Sequence, residues 1–363
     1  MLNKKIFYNL QICRGIAALI VLIAHANLII DKNLFSGFFI IGWNGVDFFF
    51  VLSGFIVYYI NSQYLGQANK FSNYLKKRLI RIFPIYWFYT LLVILAHVAL
   101  LRVTGSNLVN WFDFNTLNIL KTFLLYPTNT SINEMPIIPV AWTLSFELFF
   151  YIIFGICILL KRYYPYIIGF WIIGIILFNI HLIDVPDNQF IKMAFSDKNY
   201  EFLFGCFIAQ LALTNKIITN RFLAILILFL GISLLFISWI NEFQNLRFFP
   251  KMDAINFGLP YSLIIYALIS LESSRIENRI KKIFVFLGDA SYSIYLTHFI
   301  GIILLKSIVS KIGLNTYIEF TFIVVILTVI GSLCYSYIEK PLLKHINNWF
   351  YPKSVPVKLV VVN

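Results

Sequence analysis

Charged residues are scarce in this sequence. Only 12% of its 363 residues are charged, whereas 60% are hydrophobic. A soluble domain of this length could not bury so much apolar side-chain surface and stay in solution. The composition therefore excludes an ordinary soluble protein and indicates a chain whose solvent is a lipid bilayer.

Cysteine is also rare, with four residues in the whole chain. No two of them form a CxxC pair, and all four lie in or beside apolar segments. We expect neither a disulfide framework nor a metal site from this pattern. We interpret the cysteines as small apolar residues of helices.

Apolar stretches near the length of a membrane span recur along the whole chain. They predict helices at residues 10–30, 38–60, 82–101, 140–160, 165–183, 200–214, 222–241, 255–271, 288–309 and 316–338. Only a helix satisfies its own backbone hydrogen bonds inside lipid at these lengths. The sequence therefore predicts an all-α, polytopic membrane protein with about ten transmembrane helices.

The net charge of +13 would suggest a nucleic-acid partner in a soluble protein. Here most of the 29 basic residues fall between the apolar segments, on the side of the membrane that carries the N-terminus. The positive-inside rule then predicts that both termini are cytoplasmic and gives no reason to expect nucleic acid. We assign residues 1–345 to an integral membrane domain and residues 346–363 to a short basic cytoplasmic tail.

Ionisable residues inside apolar segments are costly in lipid, so each needs a reason. Arg14 and His25 are eleven residues apart, which places both on one helix face, about 16 Å apart along the axis. This spacing predicts Arg14 at the cytoplasmic interface and His25 near the middle of the membrane. A snorkelling arginine and a histidine hydrogen-bonded between helices would explain the same spacing.

Two further segments carry charge. Asp47 lies in the outer part of the second predicted helix, where no partner is evident. Arg78 and Arg81 share one face as the third helix begins. Two guanidinium groups on one face suit bidentate phosphate binding, although a positive-inside anchor would have the same pattern.

The last polar cluster is divided between the fourth and ninth predicted helices. Its members are Trp142, Thr143, Ser145, Glu147 and Tyr151 on the fourth, and Asp289, Ser291, Tyr292, Tyr295 and His298 on the ninth. Helical spacing places Thr143, Glu147 and Tyr151 on one face of the fourth helix, and Ser291, Tyr295 and His298 on one face of the ninth. A buried structural network is one explanation, but a second histidine and two carboxylates in lipid-spanning segments favour a function.

Five segments, in this order, resemble acyltransferase family 3, the membrane acyltransferases typified by O-antigen and other glycan O-acetylases. They are RGIAALIVLIAHA, GVDFFFVLSGF, KKRLIRIFPIYW, WTLSFELFFY and LGDASYSIYLTH, and the match extends from residue 10 to about residue 340. The family pattern often has two successive acids at the fourth segment, whereas here Leu148 follows Glu147.

The resemblance implies ten core helices, a cytoplasmic acyl-CoA donor and an acceptor commonly reached from the outer side. It also implies that His25 is essential and that Glu147 belongs to a functional motif. The donor-side residues implied by the resemblance are Arg14, Arg78 and Arg81.

We therefore expect an O-acyltransferase of the bacterial cytoplasmic membrane that moves an acyl group to a hydroxyl of a cell-surface or lipid-linked glycan, and the resemblance implies acetyl as that group. Burial keeps an imidazole neutral, which suits His25 as general base. We expect Glu147 or Asp47 to orient it, as the acid does in a catalytic triad. A covalent acyl-histidine intermediate is also conceivable.

The remaining polar residues are expected to serve the acceptor. We expect His298 and Tyr295 to position the sugar or assist proton transfer, and Trp142, Ser145 and Tyr292 to bind it. A transporter of a small polar solute or glycan precursor is the main alternative, because mid-membrane polar residues also mark transport pathways. A non-catalytic membrane sensor is a second alternative.

Overall fold

The computed structural model describes residues 7–128, 135–160, 163–180, 182, 187–244, 252–272 and 278–351. All regular secondary structure in these ranges is helical. The α-helices are α1 (Tyr8–Ile30), α2 (Gly45–Asn61), α3 (Phe71–Thr104), α4 (Thr116–Phe123), α5 (Trp142–Leu159), α6 (Tyr164–Asn179), α7 (Gln189–Ala194), α8 (Asn199–Leu213), α9 (Arg221–Phe243), α10 (Leu259–Ser270), α11 (Arg279–Val309), α12 (Thr316–Cys334) and α13 (Lys340–Phe350).

Seven helical stretches among the described residues are long and apolar enough to cross a bilayer. They are Tyr8–Ile30, Leu34–Tyr64, Ala68–Thr104, Pro139–Leu159, Arg221–Phe243, Arg279–Ile312 and Thr316–Phe350. The other three predicted segments coincide with the shorter helices α6, α8 and α10. The chain is thus an all-helical, multi-pass membrane protein, while the number of about ten spans and the cytoplasmic side of the termini stay predictions.

Small residues allow two pairs of helices to approach closely. A Cβ atom on Gly288 of α11 would overlap the carbonyl oxygen of Gln11 of α1, and one on Gly15 of α1 would lie 2.9 Å from the backbone nitrogen of Gly288. In the same way, a Cβ atom on Gly54 of α2 would overlap the carbonyl oxygen of Phe202 of α8, and one on Gly205 of α8 would overlap the carbonyl oxygen of Val51 of α2. Such crossings replace side-chain volume by backbone contact, and the first of them holds α1 beside α11.

Helices α1, α3 and α11 run in one direction. Arg14 pairs with Ser291, and His25 with His298, so both pairs join α1 and α11 in the same order along the chain. Two hydrogen bonds between α3 and α11, Tyr292 to Ile82 and Tyr89 to Ser293, follow that order as well. We call the end where these helices begin the N-terminal face and the other end the far face. Helices α2 and α5 run from the far face back to the N-terminal face.

Helix α13 lies at the N-terminal face beside α3. It follows a π-helical turn, Tyr335–Glu339, and continues to Phe350. The ammonium group of Lys76 lies 5.2 Å from the ring centre of Phe350. This helix crosses the predicted boundary after residue 345, and most of the predicted tail, residues 352–363, lies outside the described residues.

Candidate functional site

A cavity of about 390 Å³ lies between α1, α2, α3, α5 and α11. Asn73 and Lys77 line it at the N-terminal face, where both side chains are exposed. Its lining on α5 extends from Tyr151 to Thr143, a rise of about 12 Å at 1.5 Å per residue. The cavity therefore reaches from one surface of the bundle deep into its interior.

The cavity gathers only some of the residues that the sequence singled out. Its lining includes Arg14, Arg78, Arg81, Glu147, Tyr292 and Tyr295. Its lining does not include His25, His298, Asp47, Trp142 or Ser145. The predicted donor-side arginines thus share one cavity, whereas the two histidines lie next to it.

Arg14 is buried between α1 and α11. Its side chain donates hydrogen bonds to Gln11 Oε1 at 3.0 Å and to Ser291 Oγ at 3.2 Å. Gln11 in turn donates to the carboxylate of Asp289. With an exposed fraction of 6%, the side chain of Arg14 does not extend out of the bundle, as the alternative of a snorkelling arginine would require. Partners on its own helix and on α11 retain the guanidinium inside the bundle.

Arg78 and Arg81 differ in how their charges are balanced. Arg81 pairs with the fully buried Glu339 at 2.9 Å, and Ser293 donates a second hydrogen bond to that carboxylate at 2.7 Å. Arg78 instead contacts the rings of Tyr74 and Tyr151, at 5.9 and 5.5 Å from their centres. Within the described ranges Arg78 has no ion pair, so its charge is available to an anion.

Glu339 was missed in the sequence, although its position carried a signal. An acid at the end of a long apolar segment needs a partner by the same argument that drew attention to Arg14. The adjacent Lys340 and Pro341 made it look like part of the basic, surface-exposed end of the chain. Only the approach of α3 identifies Arg81 as its partner.

Glu147 lies on the cavity wall. Its Oε1 atom accepts hydrogen bonds from Ser53 Oγ at 3.2 Å and from the hydroxyl of Tyr151. The predicted shared face of Thr143, Glu147 and Tyr151 is confirmed, since all three side chains line the cavity.

The two histidines contact each other beside the inner end of the cavity. His25 Nδ1 lies 2.9 Å from the carbonyl oxygen of Val21 and 3.2 Å from His298 Nε2. His298 Nδ1 lies 2.6 Å from the carbonyl oxygen of Tyr295. Because each Nδ1 faces a carbonyl oxygen, which can only accept, we assign the proton to Nδ1 in both rings. His25 Nε2 then carries an unprotonated lone pair.

This geometry corrects the expected partner of His25. Neither Glu147 nor Asp47 hydrogen-bonds to it, because Glu147 is held by α2 and α5, and Asp47 faces α8. The carbonyl oxygen of Val21, one helical turn before His25, and the neutral ring of His298 take the place that a carboxylate occupies in a triad.

Asp47 belongs to a separate buried ion-pair cluster. Lys198, in the turn before α8, pairs with Asp47 at 2.9 Å and with Asp253 at 2.6 Å. Burial acts to lower the pKa of Lys198, but Asp47, Glu201 and Asp253 outweigh burial and raise it, so the ammonium group stays charged. Lys198 had no signal in the sequence, since it follows a polar loop.

The predicted acceptor residues are dispersed. The ring of Trp142 lies 5.9 Å from the ammonium nitrogen of Lys198, on the side of the ion-pair cluster. Ser145 is buried away from the cavity. Tyr292 lines the cavity and donates to the carbonyl oxygen of Ile82 at 3.0 Å. Tyr295 lines the inner end of the cavity.

His25 also meets an aromatic pair that the sequence did not indicate. The ring of Phe299 lies 5.4 Å from the ring of His25 and 5.7 Å from that of Trp111. Trp111 is fixed in the segment after α3 by a hydrogen bond to the carbonyl oxygen of Pro136. Among the described residues no cluster of three or more His, Cys, Asp or Glu is arranged to hold a metal ion.

Comparison with known proteins adds a family and three relatives. A family model described as an acyltransferase domain matches residues 7–337. The chain is 28% identical over 312 residues to the exopolysaccharide production protein ExoZ of Rhizobium meliloti, covering 84% of this chain and 91% of that protein. No solved structure matches the chain.

The other two relatives are longer proteins. The chain is 24% identical over 365 residues to the putative peptidoglycan O-acetyltransferase YrhL of Bacillus subtilis, covering 91% of this chain and 54% of that protein. It is 23% identical over 399 residues to the peptidoglycan O-acetyltransferase OatA of Listeria monocytogenes, covering 98% and 60%. The chain thus spans little more than half of each.

Proposed function

The chain belongs to acyltransferase family 3 and is a membrane O-acyltransferase, and from this premise we propose that it moves an acetyl group from acyl-CoA to a glycan hydroxyl with His25 as general base. The arrangement of His25 carries the proposal. Its Nδ1 is engaged by a backbone carbonyl oxygen and by His298, and its Nε2 has no hydrogen-bond partner among the described residues, so Nε2 can accept a proton beside the end of a deep cavity.

The cavity is the proposed donor site. Its open end carries Lys77 and Arg78, and Arg78 has no competing carboxylate in the described part of the chain. Guanidinium groups of this kind bind phosphate strongly. CoA phosphates bound at the N-terminal face would direct the pantetheine arm past Arg14 and Glu147 towards Tyr295. The donor then enters from the cytoplasm.

The proposed chemistry is a general-base acyl transfer. His25 Nε2 takes the proton of the acceptor hydroxyl as its oxygen bonds to the thioester carbonyl carbon. The C–S bond then breaks, and the proton returns from the imidazolium ion to the thiolate sulfur. His298 Nε2 shares the Nδ1 proton of His25 with the carbonyl oxygen of Val21, and these two acceptors stabilise the imidazolium ion during this cycle. The products are an ester and free CoA thiol.

The relatives support a glycan acceptor. One is named for exopolysaccharide production, and two are named as peptidoglycan O-acetyltransferases. A hydroxyl of a cell-surface or lipid-linked glycan is the acceptor we propose, reached from the far face, in a bacterial cytoplasmic membrane. Family membership does not favour the transporter alternative.

A labelling experiment tests this function. Membrane vesicles containing the protein and endogenous glycan are given acetyl-CoA labelled in the acetyl group, and alkali-labile label on the glycan is measured. The proposal predicts ester label that depends on the protein, and none when the label is in the CoA moiety. Absence of acetyl label from the glycan, with the protein inserted and a glycan acceptor present, would contradict the proposal.

A further inference from the structure

The inner end of the cavity is closed by two side chains that are hydrogen-bonded to each other. Thr143 of α5 and Tyr295 of α11 both line the cavity, and their exposed fractions are 6% and 7%. Thr143 Oγ1 lies 2.9 Å from Tyr295 Oη. The carbonyl oxygen of Val140 lies 2.9 Å from Tyr295 Oη and 3.0 Å from Thr143 Oγ1. These three oxygen atoms form a triangle of hydrogen-bond distances, and the two hydroxyl protons are shared among them.

The two histidines lie on the other side of this triangle. The ring of His298 is 5.6 Å from the ring of Tyr295, and His298 Nδ1 bonds to the carbonyl oxygen of Tyr295 itself. His25 adjoins His298 and does not line the cavity. Tyr295 therefore stands between the cavity and the proposed base.

The contacts at this position can be exchanged. Both hydroxyl groups are neutral, and each is tied to its partner by an ordinary hydrogen bond rather than by an ion pair. Because both are buried, breaking these bonds is unfavourable unless another polar group replaces them. A sugar carries several hydroxyls in fixed positions. When one of them replaces these hydrogen bonds, the rest of the sugar gains further contacts with the protein, whereas a single water molecule gains none.

We propose that Tyr295 and Thr143 form a latch that determines acceptor specificity by keeping a donor thioester apart from His25 until a glycan hydroxyl replaces the latch hydrogen bonds. This inference rests on the proposed function. The latch is defined as the side chains of these two residues together with the carbonyl oxygen of Val140.

The competing reaction that the latch prevents is hydrolysis. If water rather than a glycan hydroxyl reached the thioester beside His25, its oxygen would bond to the acyl carbon and the C–S bond would break. The products would be a carboxylate, CoA thiol and one proton. Both reactions release CoA thiol, but only transfer needs an acceptor, so thiol release without acceptor reports the state of the latch.

Two substitutions test the latch in the full-length protein. Thr143→Val keeps the shape of the side chain and removes its bond to Tyr295, while Tyr295 still reaches the carbonyl oxygen of Val140. Tyr295→Phe keeps the ring and removes both bonds of Tyr295. We expect acceptor-independent thiol release from acetyl-CoA to rise several-fold in Thr143→Val and further in Tyr295→Phe, relative to transfer measured with acceptor.

Thr328→Val is the matched control. In the part of the chain that the structure describes, the hydroxyl of Thr328 bonds only to the carbonyl oxygen of Val324 in its own helix, α12. We expect its ratio of thiol release to transfer to equal that of the wild type. An unchanged ratio in both latch variants, or thiol release that falls together with transfer, would overturn the latch and indicate a structural or catalytic role for these hydroxyls.

The latch and the proposed function fail in distinguishable ways. If the wild-type protein transfers acetyl from acetyl-CoA to glycan and the ratios do not change in the variants, the latch alone is wrong. If the wild-type protein forms no acetyl ester from acetyl-CoA, the proposed function is wrong and the latch falls with it.

Discussion

His25 Nδ1 lies 3.2 Å from His298 Nε2, which joins α1 to α11 through two neutral imidazole rings. Both rings have their Nδ1 atoms against backbone carbonyl oxygens, and within the described residues Nε2 of His25 has no partner, so Nε2 is the atom that can act as the base. An uncharged partner stabilises an imidazolium ion less than a carboxylate does. It also avoids burying a second charge in the bundle.

The role of His298 can be measured directly. Replacing it by Phe removes one of the two acceptors that share the Nδ1 proton of His25, and that contact is a bond to a charged group during catalysis. Such a bond contributes about 2 kcal/mol, so we expect kcat to fall about 30-fold with little change in the KM for acyl-CoA. A larger rise in KM than fall in kcat would contradict a role through His25.

Arg78 is expected to bind the donor. Arg78→Gln removes the one guanidinium of the cavity whose charge is neither paired nor held by side-chain hydrogen bonds within the described residues. The loss of a charge-assisted bond to phosphate predicts an increase of about 10- to 100-fold in the KM for acyl-CoA. Arg102→Gln, at the exposed far end of the same helix, is the control. A KM for Arg78→Gln equal to that of this control would exclude the donor role.

We expect substitution of Arg81 to lower the stability of the protein. Arg81→Gln leaves Glu339 buried without its cation, and breaking a buried pair in this way destabilises by about 3–5 kcal/mol. We expect a loss of stability at the lower end of this range, because the side chain of Arg81 is 24% exposed. The measurement is the Tm of the detergent-purified protein.

A double variant isolates the pair. Arg81→Gln combined with Glu339→Gln removes both charges, so the Tm should recover towards the wild-type value. If the double variant melts no higher than Arg81→Gln, the two side chains do not act as a pair.

Lys198 is expected to hold α8 against α2. Lys198→Met leaves the fully buried Asp47 without its cation, and we expect a loss of about 3 kcal/mol or more. Lys192→Met breaks an ion pair whose two side chains are 44% and 89% exposed, so it should change the Tm little. Equal Tm values for the two variants would contradict the structural role of the Lys198 cluster.

The sequence predicted what depends on neighbours along one helix. Every predicted apolar segment coincides with a helix, and the faces that carry Glu147 with Tyr151, or Tyr295 with His298, follow from 3.6 residues per turn. Arg14 and His25 both face α11, as one helix face requires. These features are local, so no knowledge of helix packing was needed.

Partners on different helices could not be predicted. His298 beside His25, Glu339 beside Arg81 and Lys198 beside Asp47 are 273, 258 and 151 residues apart. Their contacts depend on which helices pack together. The expected carboxylate partner of His25 was wrong for this reason, because the helix backbone and a second histidine already occupy its Nδ1 side.

The most direct measurement is acetyl transfer by His25→Ala in membranes. We predict that transfer falls by about 10²–10⁴-fold, as expected for loss of a general base, while the variant retains the wild-type Tm and still binds acyl-CoA. His345→Ala, which alters an exposed histidine of α13, should transfer at the wild-type rate. Transfer by a folded His25→Ala protein at the rate of that control would contradict the account.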